Sequence, residues 1–185
     1  MKIRFNKYQG AGNDFIIIDN TPRIIEPDDY KTISHLCDRR FGIGADGLIL
    51  IERDDSFDFV MLFYNSDGRQ ARMCGNGGRC AAHFAMKEIA GFRLLRFLAS
   101  DGGHTASPED GLINLSINDV SGIIESSHGF VLNTGVPHLV IFMDDIENIA
   151  LTEFARPVRY SREYAPDGVN VNIVQVDGNT LKMRT

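Results

Sequence analysis

Residues 72–86 read RMCGNGGRCAAHFAM: a cysteine, a run of Gly and Asn, and then the start of an apolar helix. From 77 to 90 that helix carries Ala81, Ala82, Phe84, Ala85, Met86, Ile89 and Ala90, and Gly91 supplies its stop. Only Arg79, His83 and Lys87, spaced four apart, form a polar stripe. A helix this apolar must be enclosed. The walls are at hand in the short apolar runs around it. FIIID (15–19), GLILIE (47–52), FDFVMLFY (57–64), FRLLRFLAS (92–100) and GLINLSI (111–117) all read as strands. The stretch 101–111, DGGHTASPEDG, reads as a turn-rich joint between the last two. Beyond it come GFVLN, HLVIFM and NVNIVQV. The last of these pairs with TLKMRT across DGN, a hairpin signal. Residues 28–39 predict a second helix with an acidic start and a basic end, and TEFARPVRY (152–160) a short one that Pro157 would disturb. No long βαβ alternation appears, which argues against a doubly wound sheet. The predicted class is α+β: an antiparallel, barrel-like sheet wrapped around one central helix. A boundary within NDVSGIIESSHG divides the chain into 1–118 and 119–185, and the second part shows no equivalent of the central helix.

Bulk properties narrow the function. The chain has 185 residues, 43% apolar and 24% charged, with a net charge of −6. That balance argues against a nucleic-acid partner and gives an anionic membrane nothing to attract. No apolar run approaches the ~18 residues of a membrane span, and MKIRFNKYQG lacks the apolar core of a signal peptide. The expected location is cytoplasmic, where Cys37, Cys74 and Cys80 stay reduced. Cys37 and Cys80 sit within helical segments and read as packing. The clustered Arg39, Arg40, Arg69, Arg72 and Arg79 fit either carboxylate partners or a positive rim around an anionic small molecule.

Cys74 is different. It precedes the helix by a few residues, where the unpaired N–H groups of the first turn favour negative charge. Such N–H groups would hold a carboxylate beside the sulfur. A thiolate there suits removal of a proton α to that carboxylate, since the carbanion's charge spreads onto it. A Gly-rich turn with an incidental cysteine fits the same letters. GIGADG (42–47) matches G-x-G-x-x-G, but a strand follows it where a dinucleotide site needs a helix. Cys74, Cys80, His83 and His138 lack zinc-ligand spacing, so no metal is expected. Asn13, Asn65, Asn76 and Asn170 each lie beside a glycine or a strand end. Their amides suit the ammonium and carboxylate of an amino acid, and equally suit turns.

GAGNDF, FGIGADGLILIE, YNSDGRQARMCGNGGRCAAHFA, TGVPHLV and GVNVNIV occur in the order found in diaminopimelate epimerases, and the resemblance spans residues 3–185. It implies interconversion of LL- and meso-diaminopimelate, on the route to lysine and peptidoglycan, without pyridoxal phosphate or metal. Two cysteines face the α-carbon from opposite sides. One takes the proton and the other returns one. The implied fold is a pair of similar domains, each a sheet around a central helix, with the substrate between them. By similarity Cys74 is one acid/base and His138 a second catalytic group. Asn13, Asn65, Gly75, Asn76 and Asn170 hold the substrate, and a homodimer is the implied assembly. There are departures. Val136 replaces the asparagine of the family's Gly-Asn-Pro-His, and Gly47 stands where some members have glutamine. The Glu-Arg pair and the second Cys-Gly-x-Gly cysteine that the family places beyond a strand like TLKMRT do not occur in these residues. The expectation is a truncated epimerase, inactive by itself. Three rivals are a phenazine-biosynthesis or proline-racemase type isomerase, an amino-acid-binding remnant, and a structural β-domain with an inert cysteine.

Overall fold

Every residue from Phe15 to Ile18 and from Leu48 to Ile51 is buried, because the sheet they build is covered on both faces. The computed structural model describes residues 2–185 and divides after Ile117 into two compact units. In the first, seven strands form one sheet in chain order: β1 (Asn6–Gly10), β2 (Asn13–Asp19), β3 (Gly47–Glu52), β4 (Phe59–Asn65), β5 (Leu95–Ala99), β6 (Gly102–Glu109) and β7 (Leu112–Leu115). Helix α1 (Tyr30–Cys37) joins β2 to β3, and α2 (Gly75–Ala85) lies between β4 and β5. Those two strand pairs are parallel, as a helical crossover requires. The other four are antiparallel, so the sheet is mixed rather than wholly antiparallel.

The sheet curls around α2, which packs against β1, β2, β3, β4, β6 and β7. Phe15, Ile17, Ile49, Ile51, Phe59 and Met61 point toward α2, where they meet Ala81, Ala82, Phe84 and Ala85. The alternate residues Ile16, Ile18, Leu48, Leu50 and Tyr64 face the opposite way, onto Ile33 and Cys37 of α1. The period of two thus sorts one set of strands into two cores. Close packing also explains the glycines of α2. A methyl group at Gly77 would lie 3.2 Å from Met61 Cε, and one at Gly78 2.9 Å from Met73 Cε.

Two local expectations are corrected here, and one strand lies where no element was expected. Residues 101–111 are no joint: β6 pairs with β5 on one side and β7 on the other. Its alternate residues His104 and Ala106 are buried, and His104 stacks on Phe97, outweighing the Gly-rich turn signal. The N-terminal segment forms β1, which returns into β2 through Ala11 and Gly12, both with positive φ (53° and 84°). GAGNDF is therefore a two-residue hairpin tip, whose twist matches the strands it joins. Helix α2 begins at Gly75, two residues earlier than expected, with Cys74 itself as its N-cap. It ends in a π-helical turn (Met86–Ala90) before Gly91 at φ 78°.

The second unit holds a five-stranded sheet. Its order is β12 (Thr180–Arg184), β11 (Asn170–Asp177), β10 (Pro137–Phe142), β9 (Gly129–Asn133) and β8 (Ile124–Ser126). Helix α3 (Leu151–Arg159) crosses between the parallel β10 and β11. It passes through Pro157 without breaking, against expectation. Its amphipathic face sets Phe154, Ala155 and Val158 against Leu139 and Val171, and this packing outweighs one lost backbone bond. The opposite sheet face leaves Phe130, Phe142, Val176, Leu181 and Met183 exposed.

Candidate active site

Cys74 stands where the loop from β4 turns into α2. Its backbone is extended (φ −115°, ψ 122°), its carbonyl accepts from Gly78 N at 2.7 Å, and its side chain makes no capping bond. The thiol is therefore not spent on the helix. It sits at the mouth of a first turn whose N–H groups have no partner within the helix. Asn13, the first residue of β2, brings its amide Nδ2 to 3.9 Å from Cys74 Sγ. The hairpin tip is seated against the same turn, since a methyl at Gly10 would lie 3.2 Å from the Asn76 carbonyl and 3.3 Å from Cys80 Sγ. Arg79, one helical turn on, donates to Asn76 Oδ1. That bond leaves the Asn76 NH2 group as the donor it can offer outward.

The base of this arrangement is charged. Arg39 donates to Asp14 at 2.7 Å and to Asp46 at 2.8 Å, and Lys7 donates to Asp14 at 2.8 Å. The Arg39 guanidinium holds the Asp14 carboxyl well below the usual carboxylate range. Asp14 and Asp46 also exchange backbone and side-chain bonds, tying the segment before β3 to the residue after Asn13. Of the two readings of the arginine cluster, Arg39 follows the first: it meets carboxylates rather than forming an open rim.

Asn65 ends β4 and lies opposite Gly47, which in turn pairs with Phe15. Asn13 and Asn65 thus occupy the same end of the sheet. Gly47 is tightly enclosed: an added methyl would lie 2.6 Å from both Tyr64 O and Phe63 Cε2. The structure brings Asn13, Cys74, Gly75 and Asn76 together, with Asn65 along the sheet end. Cys37 and Cys80 are buried, as their helical settings predicted, and burial pushes both thiols up to about 11.

In the second unit, His138 and Asn170 are direct partners across the parallel β10–β11 pair. Arg159 donates to Asn170 Oδ1 at 2.7 Å and to Val169 O at 3.0 Å. An Arg can only donate, so the Asn170 oxygen is occupied and its NH2 is left for a ligand acceptor. Arg156, Arg159, Asn170 and Thr185 help line a cleft of about 410 Å³. Sequence reasoning missed Arg159 and the buried Asn172, which faces His138. The only signal was the i, i+2 spacing of the two asparagines in GVNVNIV, which places them on one strand face. Val136 is exposed in the turn before β10. Among the described residues, no group of three or more His, Cys, Asp or Glu is placed to hold a metal ion. No helix among them is long and apolar enough to cross a membrane.

Solved structures of low sequence identity share the fold. A Bacillus anthracis phenazine biosynthesis protein of the PhzF family superposes with a TM-score of 0.67 at 12% identity, covering 99% of this chain and 71% of that one. A hydroxyproline epimerase from Agrobacterium vitis gives 0.64 at 11% identity, over 98% of this chain and 69% of that one. Sequence similarity is more specific. The family model for diaminopimelate epimerase matches residues 5–104. The diaminopimelate epimerase of Flavobacterium psychrophilum is 45% identical over 185 residues, covering 99% of this chain and 72% of that protein. That of Aquifex aeolicus is 34% identical over 99% of this chain and 73% of that protein. With the fold common to several isomerases and the sequence aligned along its length to one of them, the chain belongs to the diaminopimelate epimerase family of amino-acid epimerases.

Proposed function

We propose that this chain binds diaminopimelate and that Cys74 is the base that removes its α-proton. The observation that carries the reading is the uncapped thiol at the N-terminus of α2, with the Asn13 amide beside it. The α-carboxylate of the substrate accepts hydrogen bonds from the N–H groups of Gly75 and Asn76. Cys74 thiolate takes the α-proton and becomes a thiol, and the electron pair of the broken C–H bond delocalises into the carboxylate. Fixed N–H dipoles stabilise that developing charge without reorganising. In the first unit Asn13, Asn65 and Asn76 offer their amides to the ammonium and carboxylate groups; in the second, Asn170 offers its NH2 group and His138 a second acid/base group. Inversion requires a second acid on the far side of the α-carbon, a thiol in the family's mechanism. Cys37 and Cys80, both buried, do not fill that role. The 185 residues therefore supply one half of a two-thiol reaction and do not invert the centre by themselves. The location that suits reduced thiols is cytoplasmic.

The test is solvent exchange. The chain and its Cys74→Ala variant are incubated with meso-diaminopimelate in D2O, and the α-hydrogens are followed by NMR. Deuterium uptake that depends on Cys74, without change of configuration, is the expected result. Uptake that persists in Cys74→Ala would remove the base assigned here, and inversion at the rate of a two-thiol enzyme would remove the half-reaction reading.

A further inference from the structure

Asn172 is 95% buried on β11, and every polar atom of its side chain is engaged. Its Nδ2 lies 3.0 Å from Asn170 O, 3.2 Å from Leu139 O and 3.1 Å from His138 Nδ1. Its Oδ1 accepts from Thr185 Oγ1 at 2.9 Å. The orientation of an amide is a matter of chemistry as much as of position. Rotating this one would turn its oxygen onto two backbone carbonyls and set acceptor against acceptor. The NH2 group must therefore face Asn170 O, Leu139 O and the histidine ring. An amide NH2 has no lone pair to offer, so the ring nitrogen facing it is met as an acceptor, with the two hydrogens shared among the three acceptors.

We infer that Asn172 is a positioning residue that fixes the tautomer of His138, holding Nδ1 as a lone-pair acceptor and the ring proton on Nε2. A neutral imidazole has one donor and one acceptor, and the partner of one nitrogen decides the state of the other. Packing fixes Asn172 independently of any ligand. The buried amide is held from both ends, by the two carbonyls and by Thr185. His138 consequently presents a donor, Nε2–H, to whatever meets its free edge. On the function proposed above, on which this consequence rests, the ring is set up to donate a proton or hydrogen bond through Nε2.

The experiment reads the tautomer directly. Two-bond 1H–15N correlations of the 15N-labelled chain, recorded where the imidazoles are neutral and assigned with His138→Gln, show which nitrogen carries the proton. The expected pattern for His138 is Nε2–H. An Nδ1–H pattern in the unaltered chain overturns the inference without recourse to any variant. In Asn172→Asp the facing group becomes an acceptor, and the proton is expected to move to Nδ1. In Asn172→Leu neither nitrogen has that partner, and a mixture is expected. A folded Asn172→Asp chain that keeps Nε2–H also overturns it. Absence of exchange in the unaltered chain would count against the proposed reaction, while the ring pattern, read without ligand, decides the role of Asn172.

Discussion

Replacing Gly75 with alanine should make the protein more stable and a poorer binder at once. Gly75 is the first helical residue after the Cys74 cap, and a methyl built on it meets only Arg79 Nη1, at 3.8 Å. The site is open, so the substitution removes backbone freedom from the unfolded chain at no steric cost. That change is worth about 0.4–1 kcal/mol. For a unit of this size it raises the Tm by roughly 2–6 °C. The neighbouring glycines give no such gain. At Gly78 the methyl lies 2.9 Å from Met73 Cε and 3.0 Å from Leu115 Cδ2, and overpacking of about 1–3 kcal/mol cancels the benefit. The cost of Gly75→Ala falls on the ligand. A helical Cβ tilts toward the N-terminus, so the methyl stands over the first-turn N–H groups. Excluding one hydrogen bond to a carboxylate costs about 1.5–3 kcal/mol, or roughly ten- to a hundredfold in Kd. Thermal unfolding by circular dichroism and an NMR titration with meso-diaminopimelate measure the two effects separately. A lower Tm would show that the space around Gly75 is not open. A raised Tm with unchanged affinity would refute the claim that the first-turn amides hold the ligand.

The three thiols should separate by reactivity. In the native chain, iodoacetamide followed by peptide mapping should modify Cys74 and spare the buried Cys37 and Cys80. The folded chain holds the Cys37 and Cys80 protons to about pH 11, while the unfolded thiols ionise near 9. Their contribution to stability is therefore complete below about pH 9 and is lost as the pH rises to about 11, and a Cys37→Ala, Cys80→Ala chain should show a flatter decline in urea titrations over that window. Gly47→Ala should lower the urea midpoint by the equivalent of about 2–3 kcal/mol, the scale of a core clash, because its methyl meets the Tyr64 carbonyl at 2.6 Å and backbone cannot step aside. Arg159→Leu should weaken diaminopimelate binding by about tenfold, as loss of a charge-assisted bond would. In an Asn170→Ala background it should have little further effect, because Arg159 acts through the Asn170 amide.

How much of this was legible in the sequence depends on how far apart the partners lie along the chain. Strands β2, β3 and β4 and helix α2 announce themselves through local periodicity. An apolar helix must be enclosed wherever it is placed, and alternation commits each strand face before any partner is chosen. The chemistry of Cys74 was legible for the same reason, because cysteine, glycines and helix start are contiguous. Strand β6 was not legible. Its Gly, Ser and Pro residues carry a turn signal, and only pairing with β5 and β7 makes Gly102–Glu109 a strand. Pro157 misled in the same way, since the packing that keeps α3 whole comes from β10 and β11.

The site divides along the same line. The sequence by itself determined which residue types stand at the helix mouth and the strand ends, and with them the family. Only the tertiary structure decided what each of those groups faces. Arg159 occupies the oxygen of Asn170 across 11 residues, Asn172 reaches His138 across 34, and Asn13 reaches Cys74 across 61. An amide is donor and acceptor in one group, and an imidazole is either at each nitrogen. Which role each plays is set by the partner that folding brings to it, and no spacing along the chain encodes that partner.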